Sequence, residues 1–248
     1  MNFTVESDIG LKRTINEDRA AFFERPDRFK MAILADGMGG HNAGDVASEM
    51  AVSEMQSLFL QANAQQFATR DAQKQWLRDA VSHINYEIYR YSVSHEDCQG
   101  MGTTLIAVLF DEQHACISHV GDSRVYHFTP QAVQLITRDH SYVNILVENG
   151  EISEEEAQHH PKKNFILKAL GTDAAIEPDF YEVELMGELF LLICSDGLSN
   201  KLTTDEMAAI VTLPMSLADK GKKLVQLAND SGGEDNISLV LVTTNEEV

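Results

Sequence analysis

The sequence predicts an α+β fold, with two antiparallel sheets and helices packed outside them. Three observations predict it. Short apolar runs at 31–35, 189–194 and 237–242 read as strands buried on both faces. Helical periodicity comes in pairs, at about 46–59 and 71–93 and again at about 204–213 and 217–229. Residues 99–138 hold consecutive short strands with tight turns. Helices segregated from strands argue against a strand–helix–strand alternation and its parallel sheet.

Taken in order, residues 2–10 alternate weakly and give a first strand, with a second near 20–23. Between them, Gly10 to Arg19 mixes basic residues with two acids. The plainer reading is a solvated loop; the functional one makes Arg13 a bidentate phosphate fork and Asp18 a carboxylate facing a cation. The run 31–35 stops at Asp36-Gly37, and Gly39, Gly40 and Gly44 follow. Asp45 is placed to cap a helix in which Val46, Ala47, Met50, Ala51, Met55, Leu58 and Phe59 recur at helical spacing. The polar stretch 61–69 reads as loop, and the next helix puts Leu77, Ala80, Val81, Ile84, Ile88 and Tyr91 on one face.

Strands at 105–110, 114–120, 124–128 and 133–137 then read as an antiparallel meander. Residues 139–172 break that pattern, with a short acidic helix at 152–158 and His159-His160-Pro161-Lys162-Lys163 after it. This segment is expected as an insertion over the rim of a site. Side chains of adjacent residues diverge, so His159 and His160 read as a solvated pair rather than as ligands. Strands at 180–185 and 189–194 follow, and Thr203-Thr204-Asp205-Glu206 is a capping box opening a helix. The last helix stops at Gly232-Gly233 before the final strand at 237–243.

Size and charge narrow the function. The 248 residues contain no Pro/Ser/Gly-rich linker, so one domain spanning 1–248 is expected. Apolar stretches fall far short of the ~20 residues of a membrane helix, and MNFTVESDIG lacks the basic start and apolar core of a signal peptide. No membrane partner and a cytoplasmic location are expected. Three cysteines without a CxxC spacing argue against a disulfide scaffold or zinc knuckle. A net charge of −20, from 39 acidic and 19 basic residues, argues against nucleic-acid binding. It also opposes any phosphate substrate, unless bound divalent cations invert the local field.

The apolar runs share an ending. Residues 31–35 run into Asp36-Gly37, 189–194 into Ser195-Asp196-Gly197, and 115–120 into Gly121-Asp122-Ser123; Asp235-Asn236 leads into the strand at 237. Starts and ends of antiparallel strands lie side by side, so Asp36, Asp196 and Asp235 are expected on one rim. Buried charge is costly unless paired or metal-bound. Converging carboxylates suit hard cations, so the pattern predicts an all-oxygen site for Mg²⁺ or Mn²⁺.

Arg13 with Asn16-Glu17-Asp18, the stretch ADGMGGHNAG from Ala35, Met101-Gly102-Thr103-Thr104, His119 to Arg124, Thr137 to Ser141, Ser195 to Leu198 and Gly233 to Ile237 occur in this order over nearly the whole chain. Together they resemble the metal-dependent Ser/Thr protein phosphatases of type 2C, in their compact bacterial form. The resemblance implies a four-layer αββα sandwich with a two-metal centre at one end, filled by Mn²⁺ or Mg²⁺. It implies that Asp36 bridges both metals, that the Gly37 carbonyl binds one, and that Asp196 and Asp235 bind the other. Asp18 would act through metal-bound water, Asp122 would join a third, weaker metal, and Arg13 would hold the substrate phosphate. Asp36, Asp196 and Asp235 would thereby carry catalysis, a hydroxide bridging the two metals attacking phosphoserine or phosphothreonine. Residues 141–172 would be the family's flap.

The implied partners are phosphorylated proteins, a Ser/Thr kinase of the receptor-like bacterial type and its targets, met by a monomeric phosphatase that reverses kinase signalling. Animal and plant members carry a histidine after the first Asp-Gly; here that residue is Met38, which cannot donate a proton, and His41 is the nearby candidate. A cysteine-dependent phosphatase needs Arg six residues after its Cys, whereas Cys98, Cys116 and Cys194 are followed there by Thr104, Asp122 and Asn200. The glycine loop lacks the Gly-Lys-Ser/Thr of a P-loop. The competing expectation is a catalytically inactive, phosphatase-like adaptor that keeps the fold for binding.

Overall fold

A computed structural model describes residues 1–39 and 43–244; His41 lies outside the described residues. The chain begins with strands β1 (Asn2–Asp8), β2 (Asp18–Glu24) and β3 (Lys30–Met38), then helices α1 (Gly44–Gln61) and α2 (Arg70–Ser94). Strands β4 (Gly102–Thr103), β5 (Leu105–Phe110), β6 (His114–Val120), β7 (Arg124–Phe128) and β8 (Val133–Leu135) follow. Helices α3 (Tyr142–Glu148) and α4 (Glu154–His159) precede β9 (Asp179–Glu184) and β10 (Phe190–Cys194). Helices α5 (Asp196–Ser199), α6 (Thr204–Val211) and α7 (Leu217–Asp230) lead into β11 (Ile237–Thr243).

Two antiparallel sheets result, one ordered β1-β11-β10-β7-β8 and the other β2-β3-β5-β6-β9 with β4 beside β3. Side chains alternate faces along a strand, and here both faces are apolar. Met31, Ile33 and Ala35 of β3 pack with α1 and α2, while Ala32 and Leu34 meet the other sheet. Ile237, Leu239 and Leu241 of β11 pack with α6 and α7, while Val240 and Val242 turn to the first layer of strands. Three apolar interfaces therefore bind four layers, α-β-β-α. The continuous apolar runs are strands buried between a helix layer and a second sheet.

The expected meander at 105–137 is corrected. β5 pairs with β6, but β7 pairs with β10 and β8 in the opposite sheet. The turn Gly121-Asp122-Ser123 thus crosses between sheets. The stretch 61–69 is also more ordered than a loop: residues 64–67 form a 3₁₀ turn capped by Asn63, and Phe67 is fully buried against Phe59 and Trp76. Asp45 is not the cap of α1. The capping position is Ala43, in helical backbone and without a side-chain bond. The Glu17 carboxylate accepts from the Gly44 N–H instead, and Asp45 lies in the first turn, where its charge still complements the helix dipole. The capping box at Thr203 forms as expected.

Candidate metal centre

The acids gather where the two sheets open at one end. They do not come from one sheet, as strand-end logic suggested. Asp18 and Asp36 belong to β2 and β3 and are paired in register. Asp196 follows β10 and Asp235 precedes β11, in the opposite sheet, and Asp122 sits in the crossing turn. Asp36 is fixed through its backbone: its N–H donates to Thr104 Oγ1 at 3.0 Å, and its carbonyl accepts from Thr104 N–H at 2.9 Å and Thr103 Oγ1 at 3.0 Å. A Cβ on Gly37 would lie 2.1 Å from the Gly44 carbonyl oxygen, so only glycine lets the start of α1 pack here. A Cβ on Gly197 would lie 1.9 Å from the Asn236 carbonyl oxygen. That close approach brings the Asp196 and Asp235 segments together.

The electrostatic consequence is strong. Burial, reinforced by Asp18, Asp196, Asp122 and Asp235, raises the Asp36 carboxyl well above the carboxylate range. Burial also pushes Asp18 up to about 7, opposed by hydrogen bonds from Ser195 and Ser238 and reinforced by Asp196 and Asp235. The Ser195 bond measures 2.7 Å. Asp122 rises to about 8 through burial and then Asp196 and Asp139. Asp196 rises to about 6 through burial and Asp235, although Arg124 and Arg13 pull the other way. Five mutually repelling acids share one rim.

Arg13 reaches the same rim, its Nη2 at 2.9 Å from both carboxylate oxygens of Asp235. The loop bearing it is sewn down by Asn236, a buried side chain to which sequence reasoning gave no role. Its Nδ2 donates to the carbonyls of Ile9 at 2.9 Å and Ile15 at 3.0 Å, and its Oδ1 accepts the Glu17 N–H at 2.8 Å. The available signal was an amide standing directly before a fully apolar strand. Two further contacts were also missed. Arg124 forks onto Asp139, with Nε–Oδ1 at 3.0 Å and Nη2–Oδ2 at 2.7 Å. His119 and His140 stack with centroids 4.9 Å apart. His159 is exposed at the end of α4 and His160 follows as its cap, neither among the converging acids.

The residues present fit divalent cations. The donors are all oxygens, and buried Asp122 Oδ1 lacks any hydrogen-bond partner. Among the described residues, no three His, Cys, Asp or Glu side chains close around a single point. The acids thus do not form a closed cage, which suits ions that keep several waters.

The family model for protein phosphatase 2C matches residues 12–241. A serine/threonine phosphatase stp of Listeria monocytogenes serovar 1/2a is 41% identical over 242 residues, 98% of this chain and 95% of that protein. Protein phosphatase PhpP of Streptococcus pneumoniae serotype 2 is 39% identical over 247 residues, 100% and 99% of the two chains. The solved serine/threonine phosphatase of S. agalactiae superposes with a TM-score of 0.93 at 37% identity, covering 99% of each chain. The catalytic domain of serine threonine protein phosphatase PstP, solved with 2 manganese ions, superposes with a TM-score of 0.85 at 31% identity over 98% of each chain.

Proposed function

The chain belongs to the protein phosphatase 2C family, and on that premise we propose that Asp36, Gly37, Asp196 and Asp235 hold two divalent cations of a phosphatase centre. The protein is a metal-dependent serine/threonine phosphatase, and its substrates are phosphorylated proteins. The observation that carries the residue assignment is the gathering of Asp18, Asp36, Asp122 and Asp196 beside Asp235, burial and repulsion raising the carboxyls of the first four. Divalent charge relieves that repulsion.

In this reading Asp36 would serve both cations, the Gly37 carbonyl would join one, and Asp196 with Asp235 would hold the other. Asp18 would act through a bound water, and Asp122 would serve a third, weaker cation. When bound, the cations acidify a water and neutralise phosphate charge. Arg13 exchanges Asp235 for the substrate phosphate and steadies its equatorial oxygens. Cys116 and Cys194 take no part as nucleophiles: burial in β6 and β10 pushes their thiols up to about 12. Met38 offers no proton to the leaving alkoxide.

We assign Mn²⁺ or Mg²⁺ to the oxygen donors. Residues 141–172 act as a flap within one catalytic domain. The protein works as a cytoplasmic monomer that reverses a Ser/Thr kinase of receptor-like bacterial type. Among the described residues, no helix is long and apolar enough to cross a membrane. Nothing favours an inactive adaptor, since every expected carboxylate is present. The test is Mn²⁺-dependent hydrolysis of p-nitrophenyl phosphate and a phosphothreonine peptide by wild type and Asp36→Ala. Activity only in the wild type is expected; equal rates would reject the reading.

A further inference from the structure

We propose that His140 is a positioning residue for Asp122, clamping the turn that presents this acid and tying it to the root of the 141–172 insertion. The proposal rests on the reading of Asp122 as the acid of a third, weaker cation. Gly121, just before Asp122, has φ +112, a conformation that glycine alone adopts freely and that needs external restraint. His140 supplies the restraint at both backbone groups. The Gly121 N–H donates to His140 Nδ1 at 3.0 Å, and the His140 N–H donates to the Gly121 carbonyl at 2.8 Å.

The first bond fixes the tautomer. An amide N–H can only donate, so Nδ1 must be the unprotonated acceptor and the ring proton sits on Nε2. Nε2 lies 3.3 Å from Asp179 Oδ2, and Lys168 Nζ stands 3.4 Å from the other oxygen of that carboxylate. On the far side of the acid, the stacked ring of His119 donates from Nε2 to the Ser123 carbonyl at 2.9 Å. The turn is therefore gripped both before and after Asp122.

Asp122 needs such a grip. Its Oδ1 is buried without a partner, so its direction is set by the backbone that carries it. The clamp also continues outward. The His140 carbonyl accepts the Leu167 N–H at 2.8 Å, and Ser141 bridges to Ile166. His140 thus joins the turn of the third acid to the two chain segments at the insertion's root.

The test is a Mn²⁺ titration of the full chain, free Mn²⁺ being followed by electron paramagnetic resonance. Wild type is expected to bind two ions tightly and a third weakly. His140→Leu should weaken the third step about tenfold and spare the first two, the size expected for removal of an outer-shell partner. His140→Asn, whose Oδ1 can accept the same N–H, should stay within about threefold of wild type. A third step unchanged in His140→Leu, or weakened equally in His140→Asn, would overturn the clamp alone. Two wild-type steps with no third would overturn the Asp122 reading and the clamp with it. Should His140→Leu not fold, Asp179→Ala, which removes the half-buried carboxylate 3.3 Å from the ring Nε2, should loosen the third step about threefold; no change would count against the proposal.

Discussion

Asp18 and Asp36 stand directly opposite each other on the neighbouring antiparallel strands β2 and β3. Like charges at such a pair destabilise a sheet, and burial amplifies the cost. The carboxyls respond by holding their protons, Asp18 up to about 7 and Asp36 well above its usual range. A fold that keeps this conflict at the mouth of its core is built for a ligand that removes it.

Replacing Asp36 by Asn removes one ionisable carboxyl from the cluster and, in the proposed reading, one metal ligand. In EDTA at pH 8, Asp36→Asn should be more stable than wild type by about 1 kcal/mol, on the order of 3 °C in Tm. The same variant should lose about 10³-fold or more in Mn²⁺-dependent hydrolysis, the scale of removing a cation that contributes several kcal/mol to the transition state. Calorimetry and a rate assay on one preparation check both.

Metal-free stability should fall as pH rises from about 6.5 to 8 and level off above that. A carboxyl whose folded pKa is raised stabilises the fold while protonated and loses that contribution as pH climbs through the folded value. Asp18 at about 7 and Asp122 at about 8 mark where the fall levels off. His119, pushed down to about 3 by burial, has the opposite sign: its contribution is present above the ordinary histidine range and constant across this window. Saturating Mn²⁺ should flatten the dependence, and Mn²⁺ binding should release protons into a weakly buffered solution.

How far the sequence revealed this architecture depends on the kind of information involved. Asp36, Asp196 and Asp235 were legible because each interrupts an apolar run, and a charge at such a point needs a reason. Helices α1, α2 and α7 were legible from periodicity. Membership of a sheet was not, since β6 and β7 have the same local pattern whichever sheet they join. The capping of Gly44 by Glu17 escaped notice because it spans 27 residues of chain, from 17 to 44. Helices α3 and α5, of 7 and 4 residues, are too short to display a period. Asn236 and His140 act through contacts with Ile15 and Gly121, distant in sequence.

Arg13→Ala should separate substrate from metal. Losing a charge-assisted phosphate contact of about 1.5–3 kcal/mol should lower kcat/KM by roughly tenfold to a hundredfold. Mn²⁺ affinity should hold or improve, because Asp235 loses the cation now 2.9 Å away. Titration with Mn²⁺ alongside steady-state kinetics checks the split; a parallel loss of both would contradict it.

Asn236→Ala strands the Ile9 and Ile15 carbonyls and the Glu17 N–H. Unsatisfied buried groups cost about 1–3 kcal/mol, so urea denaturation should register a loss of roughly 2 kcal/mol. Arg13 rides on the same loop, so kcat/KM should fall even where the variant is fully folded.

The most direct measurement is anomalous diffraction at the manganese edge from crystals grown with Mn²⁺. The account predicts two strong peaks sharing Asp36, one beside the Gly37 carbonyl and the other between Asp196 and Asp235, with a weaker one near Asp122. Peaks elsewhere, or none while the Asp36, Asp196 and Asp235 side chains splay apart, would contradict it.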